Sequence, residues 1–257
     1  MNDPFETHNV KNLSPSSINL FIKNPAKYIL KVSGYKDNIG VPAMWRGTAV
    51  DFAICSFLND ECSENDCLAV AQNKFIDLHN VSLESNQYID QDKVTKEYEK
   101  LNQFIDVSTP HFQQFGIPFS TQEKIQLVLE DLPIPIIGYT DLQYENTVRD
   151  IKTIGKLDKN VKDETLRQMA VYERATGKVA FLDYIYATKS KAEVRTVLAE
   201  NTDYHFGVVL QACKSIMRLL GTSSDISEVA QHIMPDFDRW DFSEGEKQAA
   251  KKLWRLA

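Results

Sequence analysis

The chain has 257 residues, 43% of them apolar, and a formal net charge of −7. That length allows one substantial core, and the charge argues against a protein that coats nucleic acid with a generally positive surface. No apolar run is long enough to cross a bilayer as a helix. Met1 to Asn12 lacks the basic and apolar regions of a signal peptide, so a cytoplasmic location and no membrane partner are expected.

In chain order, Ser14 is a good N-cap and Pro15 suits the first position of a helix whose apolar stripe is Ile18, Phe21 and Ile22. Asn24-Pro25 interrupts it before a further turn carrying Tyr28 and Ile29. A second helix follows from Trp45 to Ile54, with Gly47 and Ala49 small enough for close backbone approach. Asp51 is an acid within that apolar helix, and taken alone it reads as a surface residue. Asn59 to Thr109 is polar, acidic and helical in pattern, without evident chemistry. Cys55, Cys62, Cys67 and Cys213 lack zinc-type pairing and read as free thiols.

Glu123 to Leu132 alternates like a strand, so Glu123 is expected to point toward whatever site the following segment builds. That segment, Ile134 to Lys152, reads as a hairpin: one strand from Ile134 to Tyr144, another from Thr147 to Thr153, with Glu145-Asn146 as the turn. Such a turn pairs Leu142 with Arg149 and Asp141 with Asp150, and projects Asp141, Asp150 and Lys152 from one face. Charges on one face of a hairpin are usually a solvated face. Here Ile136, Ile137, Leu142, Val148 and Ile151 surround them, and buried acids rarely lack a partner. Two opposed carboxylates repel unless a hard cation such as Mg²⁺ lies between them. A lysine one step on can then hold a water or steady developing charge.

Lys162 to Thr176 is a helix ending at Gly177, with Gln168 and Tyr172 sharing a face. Val179 to Thr188 is a further strand, which gives a mixed sheet flanked by helices. Ala192 to Ala257 reads as mostly helical, and Pro235 to Asp241 as a structural loop.

Gly138-Tyr139-Thr140-Asp141, Asp150-Ile151-Lys152-Thr153 and Gln168-Met169-Ala170-Val171-Tyr172 resemble, in order and distance, the PD-(D/E)xK nuclease superfamily and its RecB-like branch. Leu13-Ser14-Pro15-Ser16-Ser17, Asn24-Pro25-Ala26-Lys27-Tyr28 and Gly47-Thr48-Ala49-Val50-Asp51 look like the opening motifs of its RecE-type, exonuclease VIII-like phage and prophage exonucleases. The resemblance spans Leu13 to Tyr172.

It implies a restriction-endonuclease-like α/β core in one nuclease domain: a helical part over 1–110, a catalytic sheet and helix over 120–190, and a helical part over 191–257. It implies a Mg²⁺-dependent DNA exonuclease, with Mn²⁺ as substitute, acting on duplex ends in recombination. Asp141 and Asp150 would be metal ligands with the backbone carbonyl of Ile151, Lys152 would orient the attacking water, and Gln168 and Tyr172 would brace the site or touch DNA. Asp51 stands where a histidine is usual and is kept as a ligand. Glu123 is a candidate outer support, and Arg46, Lys156 and Lys159 are candidate DNA contacts. Asn24 stands where iron–sulfur members carry a cysteine, so no such cluster is expected. A single-strand annealing protein as partner and a homo-oligomeric ring are expectations of the same resemblance. An endonuclease on the same core, or a silent DNA-binding protein, remains open.

Overall fold

The first helices start where a polar cap precedes a proline. In the computed structural model, which describes residues 3–36, 40–84, 89–187, 191–239 and 241–256, Asp3 caps α1 (Pro4–Thr7). Ser14 caps α2 (Pro15–Lys23) in a reciprocal box with Ser17, and Asn24 caps α3 (Pro25–Val32). Each proline sits where its missing N–H costs nothing. The helix expected from Trp45 starts earlier, at another proline, as α4 (Pro42–Leu58). The polar stretch after it forms α5 (Cys67–Glu84), α6 (Gln91–Glu99) and α7 (Leu101–Gln113).

Five strands follow: β1 (Ser120–Leu127), β2 (Ile136–Gln143), β3 (Thr147–Ile154), β4 (Val179–Ala187) and β5 (Ala192–Leu198). Helix α8 (Asp163–Thr176) crosses between β3 and β4, and α9 (Thr202–Leu220), α10 (Ile226–Ala230) and α11 (Glu244–Leu253) close the chain. The strands lie in sequence order in one sheet. Of these neighbours only β3 and β4 are parallel, because only they are joined by a crossover helix.

Three expectations need correction. The strand placed over 123–132 is shifted: it begins at Ser120 and ends at Leu127, opposite Ile136. Pro133 and Pro135 lack N–H donors and delay β2 past Ile134. Leu13 fills in there, donating to the Pro135 carbonyl at 3.0 Å and accepting from Ile137 N–H at 2.8 Å. The segment 192–198 is a strand, not a helix: Val194, Thr196 and Val197 favour extended backbone, and β4 offers an open edge. Lastly, the β2–β3 ladder stops after Gln143–Val148 and Leu142–Arg149, so Asp141 and Asp150 do not form the expected cross-strand pair. Thr188 and Trp240, within the strand and loop read from sequence, lie outside the described residues.

The sheet is covered on both faces. Val148, Ala180 and Leu182 pack with Tyr28 and Ile29 of α3, Met169 and Val171 of α8, and Val209 and Ile216 of α9. Leu142, Ile151 and Ile185 pack with Val50 and Ile54 of α4, Phe75 of α5, and Phe104 and Ile105 of α7. Alternation along β3 and β4 sends neighbouring side chains to the two cores. The layers are thus helix, mixed sheet, helix.

Candidate active site

The site lies where the β2–β3 ladder ends. In place of a main-chain bond, the Ile151 N–H donates to Asp141 Oδ2 at 2.7 Å. The strands part there, and the space between them is filled by acid side chains. Asp150, 1% exposed, is held from two sides. Lys152 Nζ lies 2.6 Å from its Oδ2, and Gln168 Nε2 donates to its Oδ1 at 3.0 Å. That ion pair is the sole partner of Oδ2 among the described residues.

Helix α8 braces this arrangement as its spacing predicts. Gln168 also donates to the Tyr172 hydroxyl at 2.7 Å, which donates to the Tyr139 carbonyl at 2.6 Å. The Tyr172 ring crosses β2 over Gly138, where a Cβ would stand 2.8 Å from Tyr172 Cε1. Only glycine leaves that passage open. Gly47 does the same for α4: a Cβ there would be 3.0 Å from Thr153 Oγ1. Close approach of α4 to β3 carries Asp51, one turn further on, to the acids.

Asp51 is therefore no plain surface residue. Gln122 Nε2 donates to its Oδ2 at 2.7 Å and lies 3.4 Å from Asp141 Oδ1. Burial, then the neighbouring Asp150 charge, pushes the Asp51 carboxyl up to about 7. Burial, then Asp51 and Asp150, raises Asp141 well above the ordinary range. Burial likewise raises Asp150, although Lys152 opposes it. For Lys152, burial works to lower the ammonium, but Asp150 and Asp141 outweigh it, so it stays protonated.

The other expected residues separate. Lys156 and Lys159 are exposed on the loop after β3 and line the same cleft as the acids; neither forms an ion pair among the described residues. Arg46 is corrected in part: it lines the cleft, but it is 3% exposed, ion-paired to Glu97, and stacked 4.7 Å from the Phe104 ring centroid. Its charge is committed inside the protein. Glu123 is also corrected. It is exposed, pairs with Thr140, and is absent from the cleft. Its neighbour Gln122 reaches the acids instead, through a left-handed backbone with φ 49°. Sequence alone carries no signal for that turn, although a strand started at Ser120 would have set Gln122 opposite Asp141.

A second group was not foreseen. Arg149 grips Asp183 with two hydrogen bonds of 2.7 Å, and Asp183 also takes Thr196 Oγ1 at 2.5 Å and His111 Nε2 at 3.3 Å. Arg149 lies 3.9 Å from the Phe115 ring centroid. This buried buttress ties β3, β4, β5 and α7 together beside Asp150.

Among the described residues, no three His, Cys, Asp or Glu side chains already converge on one point as metal ligands. The donor set nevertheless suits a hard divalent ion. The Asp150 charge raises the proton affinity of Asp51, Asp51 and Asp150 raise that of Asp141, and all three acids line one cleft of about 1740 Å³.

Fold and site together define a class: an α/β protein layered helix–sheet–helix, with buried acids and a charged lysine at a splayed hairpin open to a wide cleft. The chain superimposes on the crystal structure of a "putative exonuclease" from Eubacterium rectale with a TM-score of 0.61, covering 96% of this chain and 92% of that one at 12% identity. At that identity the likeness shows a shared fold alone. A second solved protein, known by a locus tag, aligns over 75% of this chain and 83% of its own at 14% identity; its TM-score of 0.34 carries no argument. No family model and no curated protein matches the chain. Among the described residues no helix is long and apolar enough to cross a membrane.

Proposed function

We propose that this chain is a metal-dependent deoxyribonuclease that hydrolyses phosphodiester bonds from the ends of linear duplex DNA. The observation that carries the reading is the gathering of Asp51, Asp141, Asp150, Lys152, Gln168 and Tyr172 in one cleft, from four separate elements. Its volume of about 1740 Å³ exceeds the roughly 300–1,000 Å³ typical of small-molecule pockets and suits a polymer. The name given to the Eubacterium rectale protein points the same way.

Held by Asp51, Asp141, Asp150 and the Ile151 carbonyl, Mg²⁺, or Mn²⁺ in its place, would polarise the scissile phosphate and acidify the attacking water. Lys152 supplies a fixed positive charge beside Asp150, placed to orient that water and to steady charge on phosphate oxygens. Gln168 and Tyr172 keep Asp150 and β2 in place. Lys156 and Lys159 present exposed positive charge for the DNA backbone.

The test is a time course on linear and closed circular duplex DNA with Mg²⁺, with EDTA, and with Lys152→Ala. Loss of linear DNA alone, requiring both Mg²⁺ and Lys152, is expected. Cutting of circles would replace the exonuclease reading with an endonuclease. Inertness toward both would refute the nuclease reading.

A further inference from the structure

We propose that Gln122 is an oxygen ligand of the metal site, beside Asp51 and Asp141, and that its amide reverses when the ion enters. The inference rests on the metal-dependent reading above. In the β1–β2 register Thr121 faces Leu142 and Glu123 faces Thr140, so Gln122 falls opposite Asp141. That pair is missing from the ladder because Gln122 adopts φ 49°. The turn swings its side chain over both acids.

The atoms it meets are those a cation would need. Asp141 Oδ2 is already taken by the Ile151 N–H, which leaves Oδ1 for another partner. Gln122 Nε2 lies 3.4 Å from that oxygen and 2.7 Å from Asp51 Oδ2. Its N–H groups thus sit between two carboxylates, neither of which forms an ion pair among the described residues. Asp150 differs, because Lys152 and Gln168 already serve it.

A cation at that place repels the amide N–H and attracts the amide oxygen. Glutamine carries both ends on one planar group, a donor nitrogen and an acceptor oxygen. Its last side-chain torsion is soft and roughly two-fold, so the ends exchange without moving β1. Hard divalent ions accept amide carbonyl oxygen alongside carboxylates. The same side chain thereby serves as hydrogen-bond donor when the site is empty and as neutral ligand when it is filled.

The test is calorimetric titration of the metal-free, full-length protein with Mn²⁺ alone, for wild type, Gln122→Ala, Gln122→Glu and Asp141→Ala. Gln122→Ala is expected to weaken Mn²⁺ binding about tenfold, the low end of what loss of a supporting group costs a metal site. Gln122→Glu restores an oxygen without N–H and is expected to bind at least as tightly as wild type. If Gln122→Ala binds like wild type while Asp141→Ala loses the ion, the inference is overturned and the metal reading stands. If Gln122→Glu binds more weakly than Gln122→Ala, Gln122 acts only as a donor and its role as ligand is overturned. If wild type takes up no Mn²⁺, both readings fall together.

Discussion

Adding one methyl group at Gly138 should loosen the centre without touching any acid. The Cβ of Gly138→Ala would fall 2.8 Å from Tyr172 Cε1 and 3.3 Å from Ile125 Cγ1, both closer than ordinary contact. Tyr172 is not free to yield, because its hydroxyl is fixed at 2.6 Å to the Tyr139 carbonyl and at 2.7 Å to Gln168. Overpacking of this kind costs about 1–3 kcal/mol. At about 2–4 °C per kcal/mol for a chain of this size, the melting temperature should drop by roughly 2–12 °C. Displacement of Tyr172 should also release Gln168 from Asp150 and slow the proposed cleavage. Tyr172→Leu removes the obstructing ring, so a double-mutant cycle by thermal melting should show that Gly138→Ala costs less once Tyr172→Leu is present. Equal costs with and without Tyr172→Leu would refute the steric account of Gly138.

Arg149→Leu leaves the buried Asp183 charge without its guanidinium, with only Thr196 and His111 still bonded to it, and urea unfolding should show a loss of about 3–5 kcal/mol. Simultaneous Asp183→Leu should recover part of it; no recovery would contradict the unpaired-charge explanation. For Asp183 itself, burial acts to raise the carboxyl, but hydrogen bonds from His111 and Arg149 prevail and hold it below the usual range. Its stabilisation should be present above the ordinary carboxylate pKa and fade as pH falls through the lowered one, which acid titration of wild type against Asp183→Asn would detect. Asp51 has the opposite sign. Raised to about 7, it binds its proton more tightly folded than unfolded, so metal-free stability should fall as pH rises from about 4 to 7. With metal chelated, Asp51→Asn should gain on wild type between about pH 4 and about pH 7 in urea melts, and parallel curves would contradict this. Lys156→Ala with Lys159→Ala should weaken DNA binding regardless of sequence and reduce its log–log salt slope by about 2. An unchanged slope would remove these lysines from the DNA path.

Local chemistry made much of this protein legible before any coordinates. Ser14 beside Pro15 placed the start of α2, the Asn24-Pro25 interruption separated it from α3, and the Glu145-Asn146 turn set the register of β2 on β3. The four-residue spacing of Gln168 and Tyr172 put both on the face that braces Asp150. These features depend on near neighbours along the chain, and the sequence states them directly. Strand β5 was missed because a short alternating run is ambiguous until a paired edge exists for it. The ion pair that engages Arg46 was not legible, because only the packing of α6 against α4 supplies Glu97.

What tertiary structure alone decided is the end of the β2–β3 ladder and what enters the gap. Alternation foresaw Asp141 facing Asp150 across two paired strands, but Asp141 instead caps the Ile151 N–H where the strands part. Asp51 arrives from α4, residues distant in sequence, because Gly47 lets that helix approach β3. Gln122 arrives from β1 because its backbone turns left-handed at one residue. Arg149 and Asp183 find each other across the parallel pair that α8 creates. Residue types and their local spacing come from the sequence, but the convergence of acids from three elements depends on long-range packing, and no local pattern encodes it.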